Sequence, residues 1–206
     1  MAVANYLDQH HHYPPAYQLG PDGRPWHSWR VLILPFVEGD SLFKQYRFDE
    51  PWDGPNNRRL ANQRPRTFAF PTNRDVGSVV ANYLAVVGPK TLWPGGVPYR
   101  GNPPDGAGST VLFVENDGLG VHWMEPRDLT FRDMSFELQQ PDGVSSPYKG
   151  PGVAMADGSV RSLGAGISPA ALRALFTANG GEKLADGGRG EWQMIDDGRD
   201  RERKEP

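Results

Sequence analysis

The sequence contains no cysteine among its 206 residues, which excludes disulfide bonds and thiolate metal sites. It also lacks any apolar run of the roughly 18 residues that span a bilayer. The first nine residues are too short and too polar for a signal peptide. If this N-terminus is complete, these absences predict a cytoplasmic protein with no membrane span.

Apolar side chains are scarce. Hydrophobic residues account for 37% of the chain, beside 25 glycines and 20 prolines, a composition that favours a loop-rich, β-containing fold over a helical bundle. A net charge of −3 with both signs mixed gives no reason to expect nucleic acid or an acidic membrane as a partner. The length suits one globular domain, predicted at residues 1–185, followed by a charged, disordered tail at 186–206.

Local patterns predict the main helices and strands. The most specific signals are a helix over 168–179, where Ser168 is the N-cap and Pro169 the first helical residue, and a hairpin over 152–163. Its central Asp157-Gly158 pair is typical of a type I′ turn. Further helices are predicted at 2–9, 40–46 and 57–63, and strands at 67–70, 79–87 and 109–115.

The most apolar segment of the chain, residues 27–36, fits two structures. Ser28 could cap a helix that buries Val31 and Leu32 and ends or kinks at Pro35. A buried strand is the alternative, because periodicity does not separate helix from strand in so short a run.

The densest group of reactive side chains lies between residues 122 and 128. His122 with Glu125 or Asp128 could supply the base and acid of a hydrolase. The interpretation we favour is structural: an arginine–carboxylate pair, and a tryptophan, Trp123, that covers the edge of a sheet. Since the sequence has no nucleophile elbow, phosphate loop or dinucleotide fingerprint, we predict that the protein is not an enzyme.

Two sets of residues are candidates for ligand binding. The oxygen-rich loop at 48–57 has the composition of a calcium site, with Asp49, Asp53 and Asn56 as candidate ligands, although such loops are more often turns. Apart from calcium, no cofactor is predicted. The second set is a ligand or interface surface whose aromatic rings and carboxylates would suit a glycan. It comprises Trp52, Trp93, Trp123, Glu125 and Asp128.

Three consecutive histidines, His10, His11 and His12, end the first predicted helix. Adjacent side chains on a helix or a strand point in different directions, so this run does not close a metal site by itself. A solvated helix end is the interpretation we favour over metal binding.

Several short motifs occur in the order seen in one known family. They are Asn5-Tyr6 with Pro14-Pro15-Ala16-Tyr17, HSWRVLILP at 27–35, Pro51-Trp52-Asp53 with Asn56, Asn82-Tyr83, Asp105-Gly106 before STVLFVE at 109–115, WMEPRDL at 123–129, and ADGSVR at 156–161. Through residues 4–184 the chain resembles the pilin-like, prepilin-type proteins of planctomycetes that are grouped as domain of unknown function 1559.

The chain departs from this family pattern at three places. Members place a histidine ten residues before the aspartate of the hairpin, where this chain has Pro147, and many carry a cysteine where Phe70 stands. Members also begin with a prepilin peptidase site and a hydrophobic helix, neither of which is present in this sequence.

The resemblance implies a pilin-like α+β fold with an antiparallel β-sheet, a truncated N-terminal helix, elaborate Gly/Pro-rich loops and a C-terminal helix. It also implies a non-enzymatic, pseudopilin-like structural or surface protein of a type II secretion or type IV pilus-like system. Such a protein would be extracytoplasmic, with pilin-like subunits or secretion-system components as partners. The alternative suggested by the residues themselves is an extracellular calcium- or glycan-binding module.

Overall fold

A computed structural model of the chain describes residues 1–37, 39–71, 77–188 and 190–195. The architecture is α+β, as predicted. The helices are α1 (Ala2–His10), α2 (Trp29–Leu32), α3 (Asp40–Gln45) and α4 (Pro169–Phe176). The strands are β1 (Tyr17–Leu19), β2 (Pro25–Ser28), β3 (Val80–Ala81), β4 (Tyr83–Leu84), β5 (Val86–Val87), β6 (Val111–Glu115), β7 (Val121–His122), β8 (Leu129–Thr130), β9 (Gly152–Met155), β10 (Val160–Ser162), β11 (Leu184–Asp186) and β12 (Trp192–Met194).

The largest sheet is antiparallel and has the strand order β10-β9-β6-β4. One of its two inner strands, β6, carries a bulge between Val111 and Phe113. Because a bulge adds one residue to the strand, the consecutive Leu112 and Phe113 both pack in one hydrophobic cluster, whereas Val111 and Val114 pack in another. β6 therefore contributes to a core on each face of the sheet.

Different layers cover the two faces of this sheet. Helix α4 packs on one face through its predicted apolar positions Leu172, Leu175 and Phe176, all of which are buried. The other face lies against a cluster that includes Trp29, Trp93 and the buried residues of α1. Among the described residues, no helix has the length and apolar character that crossing a membrane requires.

The strand predicted at 79–87 is divided into three. β3 pairs with β7, β4 with β6, and β5 runs parallel to β8. Asn82 and Ala85 separate the three pieces. The backbone N–H of Asn82 donates to Phe68 O, and the backbone N–H of Ala85 donates to the Asp128 carboxylate. The prediction of one continuous strand is therefore wrong, because each dipeptide finds a different partner.

The hairpin at 152–163 is confirmed as β9 and β10, but the predicted type I′ turn is wrong. Only Gly158 has a positive φ, of 85°. The Gly158 N–H donates to Met155 O at 3.0 Å, and the Met155 N–H donates to Ser159 O at 2.8 Å. These bonds define a three-residue loop with the glycine at the left-handed position.

The predicted helix at the C-terminal side is confirmed with its cap. The Ser168 hydroxyl accepts a hydrogen bond from the Ala171 N–H at 3.1 Å, and Pro169 is the first helical residue. The chain then forms the antiparallel hairpin β11–β12, in which Trp192 is buried against the α4 cluster. The predicted domain boundary at residue 185 falls inside β11, and the tail predicted from 186 lies outside the described residues from 196 onwards.

The N-terminal half contains short elements and turns. α1 and α3 are confirmed close to their predicted bounds, whereas the helix predicted at 57–63 is a 3-10 turn at 57–60. Residues 25–32 combine both alternatives considered for the apolar segment, since β2 passes directly into α2. The prediction of a strand at 67–70 is wrong. The backbone instead forms a 3-10 turn at 66–68, in which the Phe68 N–H donates to Pro65 O.

Candidate functional site

The reactive cluster predicted at 122–128 divides into a buried part and a surface part. The buried part is an ion pair in which Arg30 Nη1 lies 2.7 Å from Asp128 Oδ1, with side chains 0% and 2% exposed. The Arg30 guanidinium also donates to three backbone carbonyls, those of Trp123, Glu125 and Arg127. Arg30 thereby joins α2 to the whole loop between β7 and β8.

Asp128 accepts hydrogen bonds from three directions. Besides Arg30, it receives the Trp29 indole N–H at 3.1 Å and the Ala85 backbone N–H at 2.9 Å. Burial raises the pKa of the Asp128 carboxyl, and the Arg30 charge and these donors oppose that rise. The carboxylate is fully engaged inside the protein, so this candidate surface residue acts as a structural junction.

Sequence reasoning identified Asp128 but missed Arg30. The two residues are 98 positions apart, so no local spacing connects them. The available signal was the charge itself, because Arg30 is the one charged residue within the apolar segment at 27–36. A buried charge requires a partner, so an arginine within an apolar segment indicates that a carboxylate lies close to it in the fold.

The surface part of the cluster contains an arginine–carboxylate pair, as the sequence predicted, and the structure identifies its carboxylate as Glu125. Arg127 Nε lies 2.6 Å from Glu125 Oε1. Glu125 Oε2 accepts the His122 backbone N–H, and the His122 Nδ1 accepts the N–H of Met124. Burial alone would raise the pKa of Glu125, but the bonds from Arg127 and His122 lower it overall. Burial lowers the pKa of His122, which favours the neutral ring.

Two of the candidate surface tryptophans lie in the interior. Trp93 is 1% exposed and donates its indole N–H to Leu112 O at 2.7 Å, while Trp123 is 0% exposed and donates to Ala61 O at 2.8 Å. Trp52 is half-buried, with its ring centre 5.1 Å from that of His122. Of the five residues proposed as a ligand surface, only Trp52 and Glu125 therefore reach the surface.

The oxygen-rich loop at 48–57 is organised by Glu50. Its carboxylate accepts the backbone N–H groups of Asn56 and Asn57 at 2.8 and 2.6 Å, and the Asn56 side-chain amide at 2.9 Å. The other two calcium candidates, Asp49 and Asp53, are exposed. Calcium binding there stays a prediction. Across the described part of the chain, no three histidine, aspartate or glutamate side chains are grouped so as to hold a metal ion.

An apolar groove lies at the N-terminal end of α1, and sequence reasoning did not foresee it. The groove has a volume of about 280 Å³ and runs between the first turn of α1 and the sheet. Its walls include Met1, Val3, Leu112, Phe113, Met155 and Val160. Met1 and Val160 are 103% and 76% exposed, so the groove opens to the surface.

These features define a class of protein: an α+β domain in which a buried ion pair, Arg30 with Asp128, joins distant segments of the chain. An apolar groove adjoins its first helix. Residues 1–135 match the family described as "Protein of unknown function (DUF1559)". The chain belongs to that family. The matched range ends before the β9–β10 hairpin and α4. No curated protein matches the chain, and no solved structure matches it either.

Proposed function

We propose that this protein is a non-enzymatic, pilin-like structural subunit that is displayed outside the cytoplasm through a type II secretion or type IV pilus-like system. The observation that carries the proposal is the apolar groove where the first turn of α1 meets strands β6 and β9. Exposed apolar surface is one of the features that mark a contact with another element or subunit, and the groove supports the proposal in that sense.

The position of α1 supports the same proposal. Val3 and Tyr6 are buried on its inner face, in the same cluster as Leu112 of β6. A helix that packs on an antiparallel sheet is the arrangement that the family resemblance implies for a pilin-like subunit. In such a subunit, the groove would lie beside the surface where neighbouring subunits meet.

The charged groups of the 122–128 loop add support for a structural role. Asp128 is bound by Arg30, Trp29 and Ala85, and Glu125 is bound by Arg127 and the His122 backbone. General acid–base catalysis requires a side chain free to reach a substrate proton. In this loop the carboxylates are instead used as acceptors for the protein's own donors.

The absence of cysteine makes the proposal testable by cross-linking in cells. Ala4 of α1 and Val160 of β10 both line the groove and are both exposed. We expect the Ala4→Cys/Val160→Cys variant, expressed in the source organism from the complete gene, to yield disulfide-linked multimers in the surface fraction. A Val97→Cys/Tyr148→Cys variant is the matched control, because Val97 and Tyr148 are 68% and 43% exposed and neither lines the groove.

Two results would contradict the proposal. One is a protein that stays in the cytoplasm, or whose distribution is unchanged when the ATPase of the secretion or pilus system is deleted. The other is a surface fraction in which the groove pair gives no more disulfide-linked multimer than the control pair. Sequencing upstream of Met1 adds a further check, since an in-frame prepilin peptidase site followed by an apolar helix is expected.

A second candidate function is glycan binding at the surface part of the cluster. Trp52 lies against His122 at the end of β7, and Glu125 with Arg127 lies in the loop that follows this strand. An aromatic face beside hydrogen-bonding groups suits a sugar ring. A glycan array would test this function: binding lost in Trp52→Ala supports it, and equal signals from the wild type and the variant exclude it.

A further inference from the structure

The end of α1 brings two of the three consecutive histidines together. His11 adopts the left-handed conformation, with φ 59° and ψ 24°, and its N–H closes the helix by donating to Leu7 O at 2.7 Å. This residue ends the helix and turns the chain between His10 and His12. The ring centres of His10 and His12 are 6.0 Å apart, whereas side chains two positions apart on a continuing helix do not face each other.

Both rings are held in place. The His10 ring stacks on Tyr6 with centres 4.1 Å apart, and the His12 ring meets the edge of the same tyrosine at 5.9 Å. Tyr6 is itself buried and contacts Phe36. The two imidazoles are therefore arranged around a fixed aromatic ring, and His10 is exposed to solvent while His12 is half-buried.

The hydrogen bond of His12 leaves one ring nitrogen free to bind a ligand. Its Nδ1 lies 2.8 Å from the backbone oxygen of Tyr13, and since a carbonyl only accepts, Nδ1 carries the hydrogen in this contact. The lone pair of the neutral ring is then on Nε2. A bond from Nδ1–H to a backbone carbonyl is the arrangement that orients histidine ligands in metal sites.

The spacing and the local field suit a transition-metal cation. A zinc ion bonded to both imidazoles at about 2.0–2.1 Å would place the ring centres on the order of 5–6 Å apart. The carbonyl end of a helix carries partial negative charge, which favours a cation there. α1 has nine residues and ends at His10. Imidazole nitrogen is a preferred donor for zinc, copper and nickel, whereas calcium prefers oxygen.

We propose that His10 and His12 form a two-histidine site for a divalent transition-metal ion of the zinc type, with water completing the coordination. Such a site has open coordination positions, in contrast to a closed structural zinc site with four protein ligands. It is independent of the groove at the other end of α1, and of the calcium candidates at 48–57.

The test is a titration of the untagged full-length chain with zinc chloride, followed by calorimetry and by NMR of the histidine rings. We expect one zinc ion per chain, with the His10 and His12 ring signals shifting while those of His27 and His122 stay in place. Removing either ligand, as in His10→Gln or His12→Gln, should weaken zinc binding by at least about tenfold. Calcium chloride should give no heat at this site.

The matched control is His11→Asn, which removes the middle ring and keeps a residue that tolerates the left-handed conformation. This variant should bind zinc as the wild type does. Urea unfolding of each variant verifies that the fold is intact. The proposal would be overturned if the wild type did not bind zinc, or if both glutamine variants bound zinc as tightly as the wild type. It would also be overturned if His11→Asn lost zinc binding to the same extent as the glutamine variants. A shift of the His27 or His122 ring signals, in place of those of His10 and His12, would overturn it as well.

Discussion

Two regions of the molecule differ in the sequence separation of the residues whose hydrogen bonds fix the backbone. One is the C-terminal unit, formed by the β9–β10 hairpin and α4, and the other is the paired segments at 80–87 and 121–130. In the C-terminal unit, the defining hydrogen bonds join residues three or four positions apart, as in the loop at Gly158 and the cap at Ser168. In the paired segments, the bonds that divide the strand come from Asp128 and from the backbone near residue 68, far away in sequence. The first unit is specified locally, and the second by its tertiary partners.

The same difference separates the two ion pairs of the 122–128 loop. Glu125 and Arg127 are two residues apart and partly exposed, with side chains 24% and 43% exposed. Arg30 and Asp128 are 98 residues apart and buried. Exposed pairs contribute little to stability, whereas removing one partner of a buried pair leaves a charge without compensation. Perturbing the non-local contacts should therefore have the larger effects.

The largest effect is expected for Asp128→Asn. This change keeps the shape of the side chain but leaves the Arg30 charge buried without its counter-charge, and it should lower the free energy of unfolding by about 3–5 kcal/mol. Urea denaturation followed by circular dichroism measures the loss. Glu125→Gln is the matched control in the same loop. Equal losses in the two variants would show that the buried and exposed pairs do not differ.

A smaller effect is expected at the first break of the divided strand. Asn82 is 4% exposed, and its side-chain oxygen accepts the Phe70 N–H at 3.2 Å. Asn82→Ala leaves that buried donor unpaired and should lower the free energy of unfolding by about 1–3 kcal/mol. The exposed Asn102 provides the control, and Asn102→Ala should leave the urea midpoint unchanged. An unchanged midpoint for Asn82→Ala would mean that the break does not depend on this amide.

The local unit can be tested at its turn. Gly158 has φ 85°, and no atom lies within 4 Å of the position that a Cβ atom would occupy, so Gly158→Ala adds backbone strain without a clash. A non-glycine residue in the left-handed region costs roughly 1–2 kcal/mol. Gly166 has the same open space without a positive φ, so Gly166→Ala should be neutral or slightly stabilising. Thermal unfolding of both variants makes the comparison, and equal melting temperatures would contradict it.

The smallest effect is expected for Glu125→Gln, and it should depend on pH. The pKa of Glu125 is lowered below the ordinary value of 4.5 in the folded protein, so its stabilising contribution is present above pH 4.5 and is lost as the pH falls through the folded pKa. For an exposed pair, the contribution is about 0.2–1 kcal/mol. The difference in unfolding free energy between wild type and variant should therefore shrink below pH 4.5. A difference that grows in acid would refute this assignment.

Prediction from the sequence succeeded where the hydrogen-bond partners that define an element lie within the same short stretch of sequence. The Ser168-Pro169 pair correctly marked the start of α4, and the apolar residues of 109–115 correctly marked the inner strand β6. At 152–163 the hairpin was correct but the turn type was not, because Asp157 uses its side chain to accept the Ser159 N–H at 2.8 Å and needs no positive φ.

Prediction failed where residues distant in sequence decide the outcome. Trp93 and Trp123 have indole N–H groups that could face solvent, but carbonyls at Leu112 and Ala61 satisfy both inside the core. The groove at α1 could not be foreseen either, since its walls come from α1, β6, β9 and β10. The convergence of His10 and His12 depends on the left-handed conformation of His11, which composition does not reveal.

The sequence by itself determined the C-terminal helix with its cap, the hairpin at 152–163 and the presence of an arginine–carboxylate pair within 122–128. Each of these depends on contacts between near neighbours, whose geometry follows from backbone and side-chain preferences. Only the tertiary structure decided the partner of Arg30, the division of the strand at 79–87, the burial of Trp93 and Trp123, and the groove beside α1. A buried charge or amide must find a partner when water is removed, and which partner it finds is set by the packing of the whole domain.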